Sequence, residues 1–469
     1  MSEKKKIVIL GGGVAGLSAA YYLAKAGRFQ VTVLERAAVV GGVCGSFDHD
    51  GFVLDYGAHK MYSVIPGVME AFQELMGDRL LKVRKKNRIF LRGRLLDYPL
   101  KLGNVLRVLG VVDFFRLGLG YAWSSLKGSF DRSKAGSYEE YMIRVFGRGA
   151  YDMIFRPLAD KVWGDPATLH EEMGRTRVPS SNALDVALKL AGLKKETQAT
   201  NAEFFFYPAG GFRGFPEALK EAVLRLGGEV LTGANVTSLA LDGGQVRSVT
   251  GEVAGKACGW PCDTLISTIP LKALDGLLNP NRPSPVEGLQ LRHVVLVYLF
   301  INKPRVLDDQ WLFFPEEQFI FSRLFEPKQM DPSLGPEGRS VICCDFTCDA
   351  SSWKWTSDDQ ALSRRCIEDL VKAGFVTPQE VTGSVVRRFK DFYPRYDLHY
   401  QETLERVFKH FDGVGNLVLT GRLGMYNYNN SDHCLDMGRQ IAQGLSDGKS
   451  AGDVVALLKE RAAGYRIVD

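Results

Sequence analysis

The chain has 469 residues, with 59 Lys and Arg against 54 Asp and Glu, a formal net charge of +5. Hydrophobic residues at 45% and charged residues at 24% are ordinary globular values, which excludes a disordered or collagen-like chain. The length suits about two to four domains or one large interleaved unit. The nearly balanced charge, with no basic stretch denser than Lys4-Lys5-Lys6 and Lys85-Lys86, points away from nucleic acid.

The first apolar run, Ile7-Val8-Ile9-Leu10, reads as a buried parallel strand. It is too short for the apolar region of a signal peptide, and no uncharged run reaches the length of a membrane-spanning helix. The expectation is a soluble, cytoplasmic protein. The eight cysteines form no C-x-x-C pair and have no histidine pair at zinc spacing, so they read as free thiols and no metal site is expected.

Gly11, Gly13 and Gly16 follow the first strand as G-x-G-x-x-G, with Val14 and Ala15 inside the motif. Next come a helix-forming stretch to Gly27, a second strand Gln30–Leu34 and the acid Glu35. Gly11 permits a tight turn, Gly13 lets the backbone approach a pyrophosphate, and Gly16 lets the helix pack on the strand. The helix N-terminus offers free N–H groups to phosphate, and Glu35 can accept bonds from both ribose hydroxyls. The unit as a whole predicts dinucleotide binding. After Glu35-Arg36 a second glycine pair, Gly41-Gly42, precedes Val43, which lets the backbone pass close to a cofactor running deeper into the protein.

This E-R-x4-G-G extension resembles that of FAD enzymes of the amine oxidase and protoporphyrinogen oxidase class, and FAD is the expected cofactor. Residues 52–59 alternate as a strand, break at Gly57 and continue through Ala58 and His59. The phrase resembles the F-x-x-D-x-G-x-H element of UDP-galactopyranose mutases and their relatives. By that resemblance Gly57, Ala58 and His59 lie near the isoalloxazine; a satisfied structural histidine is the alternative for His59.

Residues 104–146 are helix-rich, with a capping box at Ser137-Tyr138-Glu139-Glu140. The apolar stretch 104–126, interrupted by Arg107, Asp113 and Arg116, reads as a core or domain-face helix, and contact with a membrane surface stays open as the less favoured reading. An aromatic strand at Phe204–Tyr207, a helix from Phe215 and a strand across Glu229–Thr237 return the chain to the nucleotide domain. In the family it resembles, the residue matching Val236 packs near the adenine. Cys262–Pro270 adds a buried strand. From about 285 to 400, β-type runs at Val294–Phe300, Phe319–Ser322 and Ser340–Cys344 suggest a mostly antiparallel sheet serving a substrate domain.

Near the C-terminus a buried strand, Asn416–Thr420, runs into Gly421-Arg422-Leu423-Gly424-Met425-Tyr426-Asn427-Tyr428, and a helix follows from Cys434. A strand, a glycine turn and a helix N-terminus form a second candidate site for cofactor oxygens, with Gly421, Arg422 and Asp432 as its residues. The G-R-L-x-x-Y-x-Y pattern resembles the C-terminal signature of UDP-galactopyranose mutases. On that match Arg422 and Tyr428 hold a substrate diphosphate; a cofactor contact or domain salt bridge is the alternative for Arg422. The family's acidic element after the second tyrosine is replaced by Asn429-Asn430-Ser431-Asp432-His433, where Asp432 alone keeps an acid. Stretches 88–99, 161–177 and 393–400 resemble the same family and offer Arg88, Arg92, Arg94, Lys161, Arg175, Arg177 and Arg395 as candidate substrate contacts.

These readings predict an α/β protein, with a Rossmann-type FAD-binding domain (FAD/NAD(P)-binding fold) interleaved with an α+β substrate domain and a helical subdomain. The FAD-binding parts are 1–85, 201–285 and 406–469. Residues 86–200 carry substrate domain and helical subdomain, and 286–405 the antiparallel sheet. No Ser-His-Asp order, zinc motif or phosphate-binding loop with lysine is present, so the chemistry falls to the flavin. The first reading is an FAD-dependent oxidoreductase taking a hydride from a small organic substrate, with Phe204–Tyr207, Trp311, Phe313 and Phe314 as candidate pocket aromatics. The alternative is a mutase-type isomerase that uses reduced flavin as a nucleophile on a nucleotide sugar, with His59, Arg422 and Tyr428 as catalytic residues and an anionic substrate. A flavin-binding protein without turnover is the remote third.

Overall fold

The computed structural model describes residues 4–98, 102–130, 136–177, 203–279 and 282–467. Pro99, Ala202 and segment 178–200 of the expected layout lie outside them. Ile7 to Leu10 are all buried, as the continuous apolar run requires, because the strand Lys5–Leu10 is flanked on both edges and covered on both faces. It is the centre of a five-stranded parallel sheet in the order Leu417–Leu419, Thr264–Ser267, Lys5–Leu10, Phe29–Glu35, Glu229–Thr232. Helix Val14–Lys25 follows the first strand. Helix Ser431–Ser446 packs on it so closely that a Cβ on Gly438 would stand 2.6 Å from the Ser18 carbonyl carbon. That contact brings the C-terminal loop to the N-terminal glycine turn.

The second large sheet has seven strands, in the order Val381–Arg395, Gln290–Ile301, Ser340–Cys348, Arg323–Phe325, Trp311–Phe313, Asn87–Leu91, Arg94–Tyr98. All its pairs are antiparallel except Trp311–Phe313 with Asn87–Leu91. The whole is an α/β fold with a Rossmann-type sheet and a separate substrate-side sheet.

Two expectations need correction. Phe319–Ser322 is not a strand; two of its backbone groups are taken by side chains, the Phe321 carbonyl by Lys161 Nζ at 3.1 Å and the Ile320 N–H by Asp369 Oδ2 at 2.6 Å. A ladder needs those groups free, and the strand begins only at Arg323. The run Glu229–Thr237 breaks at Gly233, whose φ of +67° ends one strand before Ala234–Asp242 begins another. The second piece joins Gln245–Val253 and Lys256–Pro261 in a three-stranded antiparallel sheet that periodicity did not reveal. The expected capping box is present: Glu140 N–H donates to Ser137 Oγ at 3.2 Å and caps helix Tyr138–Phe146. Among the described residues, no helix is long and apolar enough to cross a membrane.

Candidate active site

A cavity of about 770 Å³ runs from the glycine turn into the space between the two large sheets. Its narrow end is built of backbone. The helix Val14–Lys25 begins at Gly13 with no side-chain cap and no acid in its first turn, so its N–H groups and positive dipole end face the cavity. Gly42, at φ +55°, lies opposite Gly13; a Cβ there would meet the Gly13 Cα at 3.4 Å. Gly11, Gly13, Val14, Ala15, Glu35, Arg36, Gly42 and Val43 all line this end, and Val236 lines it from the strand Ala234–Asp242. Glu35 stands at the tip of its strand, where Oε2 accepts the Gly12 N–H and Oε1 the Ala37 N–H, each at 2.7 Å. Gly16 does not line the cavity. It lies behind the turn, and its role is the close approach of helix to strand.

Deeper in, Gly57, Ala58 and His59 form part of the wall. Gly57 has φ +111°, the left-handed region that turns the chain out of strand Phe52–Asp55. The preceding Asp55 is buried and accepts Ser46 Oγ at 2.6 Å, the Phe212 N–H at 2.9 Å and the Tyr207 hydroxyl. His59 stacks on Phe212 with ring centroids 4.8 Å apart, and its Nδ1 is buried without a hydrogen-bond partner. Burial, then the Arg422 and Arg323 guanidiniums, push its imidazole from the ordinary 6.5 down to about 3, so the ring is neutral near pH 7.

This has a consequence for stability. The unfolded chain takes up a proton near 6.5 that the folded one refuses until about 3, so stability falls as pH drops through that window. Replacing His59 with Phe, which keeps the stacking, is expected to remove about 2 kcal/mol of the loss between about pH 7 and 5. Urea midpoints of parent and variant at the two pH values measure it; parallel pH profiles would contradict the assignment.

The opposite wall comes from the C-terminal loop. Arg422 closes that loop on itself, donating from Nε and Nη2 to the Asn429 carbonyl at 3.2 and 2.7 Å. Tyr428 stacks parallel on Tyr393 at 5.2 Å and receives the Trp163 indole N–H at 3.3 Å. Two guanidiniums approach its ring, Arg177 at 4.2 Å and Arg422 at 5.7 Å. Neither arginine has a carboxylate partner among the described residues; Arg177 donates to the Met173 carbonyl at 2.9 Å and to Thr176 Oγ1 at 3.3 Å. Tyr426, at φ +52°, is a strained residue in the same loop, anchored by its hydroxyl at the Arg395 carbonyl, 2.7 Å away. Gly421 stands behind the wall; a Cβ on it would lie 2.8 Å from the Ala15 Cβ.

Asp432 is also outside the lining. Its carboxylate turns away to accept Ser63 Oγ at 2.9 Å, while its neighbours Asn430 and Ser431 line the cavity. Of the candidate basic contacts, Arg177 alone lines the cavity. Arg88 makes a two-point pair with Asp309 at 2.9 and 2.6 Å, Arg175 pairs with Glu171 at 3.0 Å, and Arg395 binds the Trp163 carbonyl at 2.8 Å. Lys161 is structural, its Nζ held by the carbonyls of Phe314 and Phe321 at 2.8 and 3.1 Å. Of the candidate aromatics, Trp311 and Phe313 line the cavity, whereas Phe205, Tyr207 and Phe314 are core.

One group of lining residues is apolar: Met142, Ile154, Phe155, Leu158, Val162 and Met173. Sequence reasoning did not find them; they come from three short helical segments whose relative placement no periodicity encodes. The helical spacing of Ile154, Leu158 and Val162 was the available signal. A half-buried ion pair, Arg323 Nε to Asp345 Oδ2 at 3.0 Å, was likewise missed and forms part of the cavity wall.

The residues fit a bound FAD. The glycine slot and uncapped helix suit a pyrophosphate, Glu35 suits a ribose, and Gly57 and His59, with its unpartnered nitrogen, line the same cavity. The profile of the family described as flavin containing amine oxidoreductase matches residues 14–431. A phytoene desaturase of Fusarium fujikuroi is 26% identical over 383 residues, covering 72% of this chain and 65% of that protein, so the match spans just under two thirds of its length. A zeta-carotene-forming phytoene desaturase of Myxococcus xanthus is 25% identical over 386 residues, covering 73% of this chain and 72% of that one. Among solved structures, reduced UDP-galactopyranose mutase shares the fold with a TM-score of 0.82 at 20% identity, covering 100% of this chain and 99% of its own. FAD is therefore the cofactor.

Proposed function

The chain belongs to the flavin containing amine oxidoreductase family, and from that premise we propose that it is an FAD-dependent oxidoreductase acting on an apolar, unsaturated substrate. The observation that carries the reading is the apolar part of the cavity lining formed by Met142, Ile154, Phe155, Leu158, Val162 and Met173. The two relatives named as phytoene desaturases support the substrate class.

When bound, FAD supplies a two-electron acceptor able to take a hydride from a C–H bond beside a double bond. The chain's own residues do the rest. The N–H groups at the start of helix Val14–Lys25 hold the pyrophosphate, Glu35 the ribose, and Val236 flanks the adenine. Gly57, Ala58 and neutral His59 bound the ring system. The apolar side chains exclude water and align the substrate. In this reading residues 1–85, 201–285 and 406–469 form the FAD-binding domain, and 86–200 with 286–405 the substrate side. The free cysteines, all eight unpaired, fit a reducing cytoplasm.

One observation favours a second reading. Arg177 and Arg422 face the Tyr428 ring without carboxylate partners among the described residues, which suits an anionic substrate such as a nucleotide sugar handled by a redox-neutral isomerase. A crossed titration of the FAD-loaded protein separates the two. Phytoene and UDP are added in turn while flavin absorbance is read. The proposal expects phytoene to perturb the flavin in the parent and Arg422→Ala, but not in Leu158→Arg. A response to UDP alone, lost in Arg422→Ala with flavin content unchanged, would replace it with the isomerase.

The cofactor assignment of Glu35 has its own test. Glu35→Ala is expected to fold normally and to hold FAD about ten- to hundredfold more weakly, the loss of a charge-assisted pair of contacts. Flavin retention on dilution, equal to the parent's, would move Glu35 out of the ribose site.

A further inference from the structure

Fourteen large apolar side chains are exposed among the described residues, and five of them lie on one helix, Val111–Phe130. Val111, Val112, Phe115, Leu119 and Trp123 are 61 to 81% exposed. At 3.6 residues per turn they fall within about 120° of arc, a continuous stripe rather than scattered positions. The other side of the helix is packed. A Cβ on Gly147 would stand 3.0 Å from the Gly120 carbonyl, and one on Gly149 would stand 2.7 Å from Leu117 Cδ2. The stripe is therefore the face the fold leaves uncovered.

The charge around it has one sign. Arg107 and Arg116 are exposed and have no carboxylate partner among the described residues. Asp113, the one acid in residues 102–130, is tied to Arg92 at 2.6 Å. Arg116 borders the stripe at helical spacing. An apolar stripe holding Trp and Phe beside unpaired arginines matches the surface of an anionic bilayer, with acyl chains below and phosphates at the edge. No described helix is suited to crossing a membrane, which leaves lying in the interface plane. We propose that helix Val111–Phe130 docks the protein on anionic phospholipid membranes, with Phe115, Leu119 and Trp123 inserted and Arg107 and Arg116 at the headgroups.

The helix also stands one side-chain layer from the cavity. Leu117 belongs to the same small cluster as Ile154 and Phe155, which line its apolar compartment. The docking proposal does not depend on what that compartment takes.

The test uses the FAD-loaded protein and unilamellar vesicles, either of phosphatidylcholine alone or of equal parts phosphatidylcholine and phosphatidylglycerol. Co-sedimentation is expected with the anionic vesicles, and it should fall about tenfold or more in Phe115→Asp/Leu119→Asp. Arg107→Gln/Arg116→Gln should weaken binding to the anionic vesicles and reduce its dependence on salt. These side chains are exposed, so flavin content and thermal midpoint should match the parent. Trp123 fluorescence should be quenched by brominated acyl chains. A parent protein that stays in the supernatant with both vesicles would overturn the proposal. So would a lipid-free dimer, seen by light scattering, that Phe115→Asp/Leu119→Asp dissolves; the face would then belong to a second copy. Equal binding to both vesicles would overturn the anionic part.

Discussion

Gly16→Val is expected to purify, where it folds at all, without flavin. A Cβ on Gly16 would lie 2.0 Å from the Gly11 carbonyl oxygen and 3.3 Å from Ile9 Cγ2. The first of these is backbone at the centre of the glycine turn, so no rotamer change relieves the overlap. Either the helix lifts from its strand or the turn deforms, and both displace the N–H groups aimed at the pyrophosphate. Overpacking of this kind costs about 1–3 kcal/mol before the lost cofactor is counted. Flavin loss then removes the further stabilisation a bound ligand gives. Acid release and chromatography give FAD per chain, and a thermal scan gives the midpoint. Gly27→Ala is the control: its φ of +70° brings a small local strain, but nothing lies within 4 Å, and it should stay yellow. A Gly16→Val protein with the parent's flavin content would contradict the cradle.

Asp55→Ala should be the most destabilising single change near the site. The carboxylate is buried, and burial pushes its pKa up while the bonds from Ser46, Tyr207 and Phe212 oppose that rise. Its main-chain carbonyl also accepts the Tyr298 hydroxyl from the second sheet, so the residue joins the hairpin Ser46–Asp55 to both neighbouring units. Truncation leaves two hydroxyls and one N–H without an acceptor. At ~1–3 kcal/mol for each buried unsatisfied group, with partial relaxation, the expected loss is about 3–5 kcal/mol. The turn through Gly57 to His59 hangs from this residue, so the flavin spectrum should change as well. Urea unfolding measures the first effect and absorbance the second. Asp55→Asn should lose less, because it keeps one acceptor oxygen. An Asp55→Ala midpoint equal to the parent's would show that the three donors find other partners.

The nucleotide end was legible because its information is local. Gly11 to Gly16, the helix and Glu35 lie within thirty residues of one another, and each carries a backbone or charge requirement visible in its residue type. In the C-terminal loop Arg422 and Tyr428 were visible for the same reason and do line the cavity, whereas Gly421 stands behind it. What could not be read is what separates residues that meet. Arg177 looked no different as a candidate from Arg88, Arg175 and Arg395; only the fold pairs the last three with Asp309, Glu171 and the Trp163 carbonyl. Asp432 was the one acid left after the second tyrosine, yet Ser63, 369 positions away, takes it. Phe319–Ser322 had the composition of a strand, and a distant lysine and aspartate claimed its backbone. The apolar compartment was hidden most deeply, since Met142, Ile154 and Met173 are ordinary core residues until the helices carrying them leave a gap.

That gap is the central claim, and redox chemistry tests it most directly. The FAD-loaded protein is mixed with phytoene under strict exclusion of oxygen, and the oxidised flavin band is followed. A hydride acceptor beside an apolar, unsaturated substrate predicts loss of that band with one equivalent of substrate desaturated per flavin, and slower loss in Leu158→Arg at full flavin content. A band that stays oxidised with phytoene and with other apolar polyenes, while chemically reduced protein interconverts a nucleotide sugar with no net redox change, would contradict it.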